Sequence, residues 1–261
     1  MAAVQSVTDQ SLIRIRSRAV VRLAMLSVGK PFSRCLINEF PKSGGSWLAK
    51  MVAGGLELDF PQNVMPSTFP AIFHGHYMKE FPRVPKLILW RDPRDIMVSW
   101  YYHCLFGNER NNLARVEKNR ARLGFENVED IKGNMAPFID WCFGPDGEPG
   151  ITWGDFFDRW YGVENNTIHT SYERLRTAPV EEIGRLLHWL GAERTNTELE
   201  GLVDKYSFGR QSHRKAGEEE ASSFLRKGIV GDWKNVFDET AERRLNSHLG
   251  DRIEKIQEIL T

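Results

Sequence analysis

The sequence predicts a single α/β domain in which a mostly parallel central sheet is flanked by helices. Short apolar runs typical of buried strands alternate with longer stretches at helical spacing, and this alternation favours a parallel sheet covered by helices. An early strand–loop–helix unit has the small residues of a phosphate-binding turn, which makes the fold P-loop-like at that point. The 261 residues can bury one full hydrophobic core without disulfides or a structural metal.

Four strands and three helices are predicted in chain order. The strands are the apolar runs Cys35–Phe40, Ala71–Tyr77, Lys86–Arg91 and Thr167–Tyr172. The helices are Ser46–Leu56, Pro93–Leu105 and Pro179–Leu190.

Composition shifts predict how the rest of the chain is organised. The highly charged stretch 108–133 indicates a helical excursion, and the stretch 144–150, rich in Gly and Pro, indicates a loop over the site. We expect residues 1–33 to form an N-terminal basic segment and residues 34–261 to form the domain. Within that domain, residues 106–160 are predicted to form a helical cap.

Charge and cysteine content exclude several classes of protein. Lys plus Arg and Asp plus Glu both number 35, so no overall basic excess favours nucleic acid as a partner. The 3 cysteines are scattered, which argues for a reducing compartment and against a secreted disulfide framework. We find neither a signal-peptide layout nor a run long enough to span a membrane. These features predict a soluble, cytoplasmic protein.

The segment 11–27 is both basic and amphipathic. Its arginines, Arg14, Arg16, Arg18 and Arg22, alternate with Leu, Ile and Val residues. We interpret it as an N-terminal helix that docks on the core and exposes a solvated basic face. The alternative is a helix that rests on an anionic membrane surface, which would make the protein peripheral to membranes.

The first candidate site lies in the stretch 40–48, Phe-Pro-Lys-Ser-Gly-Gly-Ser-Trp-Leu, between a strand and a helix. Small residues there allow backbone N–H groups to surround an anion at the helix N-terminus. Lys42 adds a positive charge, and Ser43 and Ser46 add hydroxyl donors. The Lys-Ser/Thr pair of a Walker A loop is absent. A plain tight turn with an N-cap serine is the alternative.

The second candidate segment begins where the strand 86–91 ends. Arg91 lies at the carboxyl edge of the sheet, where open α/β folds bind ligands. Asp92 suits the N-cap position, Pro93 suits the first helical position, and Asp95 complements the helix dipole. Ser99 follows about two turns into the helix, where a serine is usually inert unless a ligand reaches it.

The third candidate segment spans residues 224–237. Arg226 and Lys227 precede Gly228, and adjacent cations before a flexible residue can wrap a dianion from outside the sheet. A solvated surface charge pair is the alternative.

Together these segments resemble the sulfotransferases that use 3′-phosphoadenosine 5′-phosphosulfate (PAPS). PKSGGSW (41–47) is similar to their 5′-phosphosulfate loop PKSGTTW, RDPRDIMVSWYYH (91–103) to their 3′-phosphate strand and helix, and RKGIVGDWKNVF (226–237) to their C-terminal nucleotide loop. The resemblance covers roughly residues 35–240 and is to the cytosolic branch, with a chain length closer to bacterial members. It implies transfer of the sulfuryl group from PAPS to an acceptor hydroxyl, which leaves 3′-phosphoadenosine 5′-phosphate (PAP).

The resemblance also implies roles for individual residues, and no metal. Lys42 would contact the leaving phosphate, and the loop after it would cradle the 5′-phosphate. Trp47 and Phe208 would stack on the adenine. The residues carried over as nucleotide contacts are Lys42, Ser43, Gly44, Gly45, Ser46, Trp47, Arg91, Ser99, Tyr172, Phe208, Arg226, Lys227 and Gly228. Those assigned to catalysis are His76, Lys42 and Ser99.

The general base is expected shortly before the strand that delivers Arg91. His74-Gly75-His76-Tyr77 stands where the family has Lys-Thr-His-Leu, so His76 matches the catalytic histidine and His74 the lysine. Positions 74 and 76 of a strand face the same side, so both imidazoles can reach the sulfuryl group. Two alternatives stay open: a metal site, for which the sequence shows no third ligand, and a purely structural His76.

Several further questions stay open at the level of sequence. Gly45 replaces the usual Thr of the loop, and the family's dimer segment, which would begin at Lys234, is not matched, so the oligomeric state is not predicted. The rival functions are a P-loop-like nucleotide kinase and a non-catalytic binder of 3′-phosphoadenosine nucleotides. We expect the acceptor to be a hydroxyl-bearing small molecule, glycan or lipid, bound near Tyr77, Phe81 and the variable region 107–150.

Overall fold

The centre of the molecule is a four-stranded sheet in which all paired strands run parallel. The computed structural model describes residues 19–62, 64–107 and 113–261. The strands are β1 (Ser33–Glu39), β2 (Ala71–Gly75), β3 (Lys86–Trp90) and β4 (Thr167–Ser171), in the spatial order β2-β1-β3-β4. The predicted α/β class with a parallel sheet is therefore confirmed.

Each predicted strand is present but ends one or two residues earlier than predicted. The reason is visible at the end of β4. The side chain of Ser171 accepts a hydrogen bond from the backbone N–H of Arg174 and so caps a helix that begins at Tyr172. An apolar run in the sequence does not distinguish the last strand residue from the first residue of the following helix.

Helices cover both faces of the sheet. Residues 19–28 are helical and are called α1. The others are α2 (Gly45–Leu56), α3 (Pro93–Leu105), α4 (Leu113–Leu123), α5 (Ile131–Phe143), α6 (Trp153–Trp160), α7 (Tyr172–Thr177), α8 (Pro179–Trp189), α9 (Asn196–Lys205), α10 (Phe208–Ser212), α11 (Glu239–Leu249) and α12 (Arg252–Leu260), with a short 3₁₀ helix at Asp232–Asn235. The three predicted helices correspond to α2, α3 and α8.

Alternate residues of β3 enter two different cores, because successive side chains of a strand point to opposite faces. Ile88 and Trp90 pack with α3, α5, α6 and α11 on one face. Leu87 and Leu89 pack with α2 and α8 on the other. Both faces are buried, as expected for a parallel sheet.

The start of α3 has the capping that the sequence predicts. The side chain of Asp92 accepts from the backbone N–H of Arg94 at 2.9 Å, and Pro93 occupies the first helical position. This cap fixes the direction of α3 as it leaves the sheet edge, and therefore the position of Ser99 two turns later.

The region 106–160 divides between the core and the site. Helices α5 and α6 pack in the same buried cluster as α3 and α11, so they belong to the body of the domain. Arg115 of α4 and Pro149, in the loop between α5 and α6, instead line the central cavity. The boundaries of 1–33, 34–261 and 106–160 stay predictions.

Helix α1 docks on the core, but its arginine lies on the inner side. Leu26 is fully buried beside Leu36 and Phe73. Arg22 is only 8% exposed, since it lies over the Phe73 ring and donates to the carbonyls of His74 and Gln62. The expected solvated basic face is therefore wrong for Arg22, whose guanidinium satisfies backbone carbonyls at the end of β2. Arg14, Arg16 and Arg18 lie outside the described residues.

In the ranges that the structure describes, every helix is too short or too polar to traverse a bilayer.

Candidate active site

The turn between β1 and α2 brings backbone N–H groups to the carboxyl edge of the sheet. Gly44 adopts a left-handed conformation (φ 103°) at the N-cap of α2. Among the residues that the structure describes, no side chain caps the start of this helix. A Cβ at position 44 would lie 2.9 Å from the Tyr172 ring, so only glycine fits this close approach. The N-terminus of α2 thus has the geometry of an anion site.

Ser43 stabilises this turn rather than lining it. Its hydroxyl donates to the carbonyl of Phe40 at 2.8 Å, and the residue is almost fully buried. The sequence predicted that this hydroxyl contacts the ligand, whereas in the structure it forms a hydrogen bond within the loop. A serine in a turn commonly bonds back to the chain, because a local carbonyl is the nearest acceptor.

Three aromatic rings surround one end of the loop. The indole N–H of Trp47 donates to the Tyr206 carbonyl at 2.8 Å, and the centre of its ring lies 5.8 Å from that of Tyr172, edge to face. Phe208 lies on the other side against Gly228, where any Cβ would overlap the Phe208 ring. The three predicted adenine contacts, from three separate segments, therefore meet here.

Arg91 crosses the site between the phosphate loop and Tyr172. One guanidinium nitrogen donates to the Lys42 carbonyl at 3.0 Å, and the group lies 4.3 Å from the Tyr172 ring centre. Its Nε is buried and has no hydrogen-bond partner among the described residues. A buried donor without a partner is costly, so this nitrogen is suited to an incoming anion.

Two acids, Asp232 and Asp95, hold the loop that carries Arg226 and Lys227. Asp232 accepts from Arg226 at 2.5 Å and from Lys227 at 2.7 Å. Burial alone would raise the pKa of Asp232, but the hydrogen bonds from these two cations outweigh it and lower that pKa. Asp95 in turn accepts from the backbone N–H groups of Gly231 and Trp233, which ties the loop to the start of α3.

A third acid, Glu219, pairs with the same two cations. Glu219 accepts from Arg226 at 2.8 Å and lies 3.5 Å from the Lys227 ammonium. Burial acts to raise the pKa of Glu219, whereas hydrogen bonds from Tyr102 and Arg226 lower it, and the net direction is down. A carboxylate therefore engages the same two cations that the sequence assigns to a phosphate.

His74 near the end of β2 and His76 just after it converge on Glu39, the last residue of β1. His74 Nε2 lies 2.9 Å from Glu39 Oε1, and His76 Nδ1 lies 2.9 Å from the Glu39 backbone carbonyl. A carbonyl only accepts, so Nδ1 of His76 carries the proton and Nε2 is the basic atom of the neutral ring. We call Glu39, His74 and His76 the His–Glu cluster.

All these segments line one cavity of about 650 Å³. Of the fourteen predicted site residues, all lie in the described ranges and thirteen line this cavity. Those thirteen are Lys42, Gly44, Gly45, Ser46, Trp47, His76, Arg91, Ser99, Tyr172, Phe208, Arg226, Lys227 and Gly228. Ser43 does not, for the reason given above. Tyr77 and Phe81, which the sequence placed near the acceptor, pack instead in the cluster around Leu26 and Phe73.

The cavity also contains residues that sequence reasoning missed. Glu39 is the most consequential, because it bonds both histidines. Parallel pairing of Asn38 with Gly75 puts the ends of β1 and β2 side by side, and this pairing is the signal that could have revealed it. Arg115 is another: it bonds His103 at 2.8 Å and Glu148 at 2.6 Å at the far side of the cavity.

Comparison with known proteins agrees with this architecture. The family model described as a sulfotransferase domain matches residues 79–258, which is more than half of the chain. The chain belongs to the sulfotransferase domain family. The match includes Arg91, Ser99, Tyr172 and the loop at 226–228, whereas the phosphate loop and His76 precede it.

Individual members of the family are distant from this one. Sulfotransferase 6B1 of Danio rerio is 25% identical over 189 residues, 69% of this chain and 54% of its own, so the match spans about half of that relative's length. Sulfotransferase 2A1 of Homo sapiens is 23% identical over 77% of this chain and 78% of its own. A crystal structure of mouse sulfotransferase SULT7A1 complexed with PAP superposes with a TM-score of 0.62 at 17% identity, covering 91% of this chain and 90% of that one. At this identity the superposition shows the fold.

Proposed function

We propose that this protein transfers the sulfuryl group of PAPS to an acceptor hydroxyl, with His76 as general base. The observation that carries the proposal is the convergence, in one cavity, of thirteen residues matched to the family's nucleotide and catalytic positions. They come from widely separated parts of the chain, and convergence of this kind favours a shared ligand over independent structural roles.

The chain offers a specific place for each anionic group of the nucleotide. The buried Nε of Arg91, together with Ser99, Arg226 and Lys227, suits the 3′-phosphate. The uncapped N-terminus of α2 and Lys42 suit the 5′-phosphosulfate. PAPS supplies the activated sulfuryl group, and the residues that bind it also orient it toward the histidines.

His76 is proposed to accept the proton of the acceptor hydroxyl at Nε2. Its Nδ1–H bond to the Glu39 carbonyl holds the tautomer in which Nε2 is basic. Lys42 and the N–H groups of the loop stabilise the charge that grows on the leaving phosphate. His74 occupies the place of the family's lysine, and its Nε2 is engaged by the Glu39 carboxylate.

The rival functions have less support from the chain. A P-loop-like nucleotide kinase uses a Lys-Ser/Thr pair after its glycines, and here Ser46-Trp47 stands in that place. A non-catalytic binder of 3′-phosphoadenosine nucleotides has no need of His76 in the cavity, yet His76 lines it.

The acceptor is proposed to be a hydroxyl-bearing small molecule, and the cytoplasm is the proposed location. Beyond Ser99 the cavity is lined by Trp100, His103, Arg115 and Pro149. An indole ring beside an arginine suits a polar acceptor such as a glycosyl or natural-product hydroxyl better than a flat apolar one.

Calorimetric titration with PAP, with and without Mg²⁺ and beside ATP, tests the donor. We expect metal-independent binding of PAP that Arg226→Ala weakens at least tenfold, because Arg226 carries the 3′-phosphate contact. Arg243→Ala is the matched control, since Arg243 is an exposed arginine of α11. Preferential binding of ATP with Mg²⁺ would overturn the proposal in favour of a kinase, and binding of neither nucleotide would overturn both.

A further inference from the structure

The His–Glu cluster contains three side chains of types that ligate metal ions. One ligand atom from each of Glu39, His74 and His76 lies within 4.8 Å of the other two. No third ligand is apparent beside the histidines in the sequence, and Glu39 supplies it in the folded protein. Two imidazoles and one carboxylate are the ligand set of open zinc sites, in which a water or small molecule takes the fourth position.

The spacing of the Glu39 and His74 ligand atoms suits a small tetrahedral ion. Ligands about 2 Å from zinc lie roughly 3.3 Å apart. Glu39 Oε1 and His74 Nε2 are 2.9 Å apart and share a proton, so an ion can replace that proton with little movement. Hard ions such as Mg²⁺ prefer oxygen ligands and fit this set poorly.

The atoms around the cluster orient it as the surroundings of metal sites do. His76 donates from Nδ1 to the Glu39 carbonyl, which makes Nε2 the ligand atom. The second carboxylate oxygen of Glu39 accepts from the Gly45 backbone N–H at 2.5 Å. Ligating histidines and carboxylates are typically held by such hydrogen bonds from a second layer of groups.

Gly45 makes room for the cluster. A Cβ at this position would lie 2.5 Å from both Glu39 Cδ and His74 Nε2. The residue that departs from the family's loop pattern is therefore the one that admits the Glu39–His74 pair. The space at Gly45 therefore supports the cluster independently of the chemical types of its three side chains.

An ion can also reach the cluster. Glu39 is 3% exposed, whereas His74 is half-buried and His76 is exposed, and all three line the central cavity. A buried carboxylate with imidazoles at the cavity side gives both a desolvated charge and an entry path.

We propose that Glu39, His74 and His76 bind a divalent transition-metal ion of the zinc class, and that this ion inhibits the enzyme. His76 Nε2 has one lone pair, so coordination and proton acceptance exclude each other. The binding part stands on the cluster alone. The inhibition part rests on the proposed function.

Calorimetric titration with ZnCl₂ alone tests the binding part on the full chain. We expect one site per chain, weakened at least tenfold by Glu39→Gln and by His76→Asn. Because Glu39 is buried, its variant is checked by thermal melting, and the exposed His76 keeps the test decisive should Glu39→Gln fail to fold. His188→Asn and His248→Asn are matched controls, since these histidines also lie beside carboxylates, Glu193 and Asp140. Equal zinc affinity in the cluster variants, or loss in the controls, would overturn the proposal, as would no binding.

Sulfotransfer assays with added ZnCl₂ test the inhibition part. We expect inhibition that chelation by EDTA reverses, with a midpoint near the calorimetric Kd. Binding of zinc without inhibition would overturn this second part. The two proposals fail separately: zinc binding without PAP binding would contradict the proposed function and leave the metal site standing, and PAP binding without zinc binding would do the reverse.

Discussion

At the 3′-phosphate end of the cavity, Arg91, Arg226 and Lys227 each lie beside an acid four to seven residues away in the chain. At the histidine end, Glu39 lies beside His74, thirty-five residues away, across two neighbouring strands. The ion pairs of the first end are local in sequence, although Asp95 joins its two segments by accepting from the Gly231 and Trp233 backbone N–H groups. The Glu39–His74 pair, by contrast, exists only once β1 and β2 are paired. Contiguous motifs can thus encode the ion pairs of one end, while the other end depends on strand register.

The largest expected effect is on turnover, and it should arise at the histidine end of the cavity alone. His76→Ala should lower turnover by about 10²- to 10⁴-fold, the usual contribution of a general base. PAP affinity should change less than threefold, because the 3′-phosphate contacts are untouched. Steady-state kinetics and calorimetry measure the two quantities on the same preparation. A variant with near wild-type turnover would show that the base lies elsewhere.

A second prediction concerns stability at the phosphate end, where burial raises the pKa of Glu173 from an ordinary 4.5 to about 7. Its Oε1 accepts from the Asp92 backbone N–H, and Oε2 is buried without a partner among the described residues. The folded state therefore holds the proton more tightly than the unfolded state. The stability this gives is complete below about pH 4.5 and lost as pH rises through about 7.

Glu173→Gln removes this dependence and keeps an acceptor for Asp92. Between pH 4.5 and pH 8 the variant should gain up to about 3 kcal/mol in the free energy of unfolding relative to the wild type. Urea unfolding at several pH values measures it. Parallel pH profiles for the two proteins would contradict the assignment.

A third prediction concerns Gly45, where the two ends meet. Gly45→Ala should weaken zinc binding at least tenfold, because the added Cβ must displace Glu39 or His74. Gly201→Ala in α9 is the matched control, since a Cβ there meets nothing within 4 Å of it. Calorimetry with ZnCl₂ on both variants gives the comparison. Unchanged zinc affinity in Gly45→Ala would place the ion outside the cluster.

The smallest expected effect is a change in PAP affinity when Glu219, beside Arg226 and Lys227, loses its charge. Glu219→Gln should raise PAP affinity about three- to tenfold, because it removes a carboxylate that competes with phosphate for Arg226 and Lys227. Glu220→Gln, at the next position, is the control. Since Glu219 is partly exposed, stability should change by less than about 1 kcal/mol. Weaker PAP binding would indicate that Glu219 positions the cations instead.

The sequence by itself determined the fold class and most of the residues that were expected to line a common site and do so. Short apolar runs set the four strands, Asp92 and Pro93 set the start of α3, and the motifs at 41–47 and 226–228 placed residues that line the cavity. These features depend on local backbone preferences and neighbours a few residues apart, so a linear pattern carries them.

Only the tertiary structure decided the rest. Glu39 meets the histidines through parallel pairing of β1 and β2, Ser43 turns its hydroxyl back to Phe40, and Arg22 points inward to carbonyls at the end of β2. Which acceptor a hydroxyl or guanidinium finds depends on groups that are distant in sequence and become neighbours on folding. Local propensity and residue spacing do not predict such contacts, because register and packing are properties of the whole sheet.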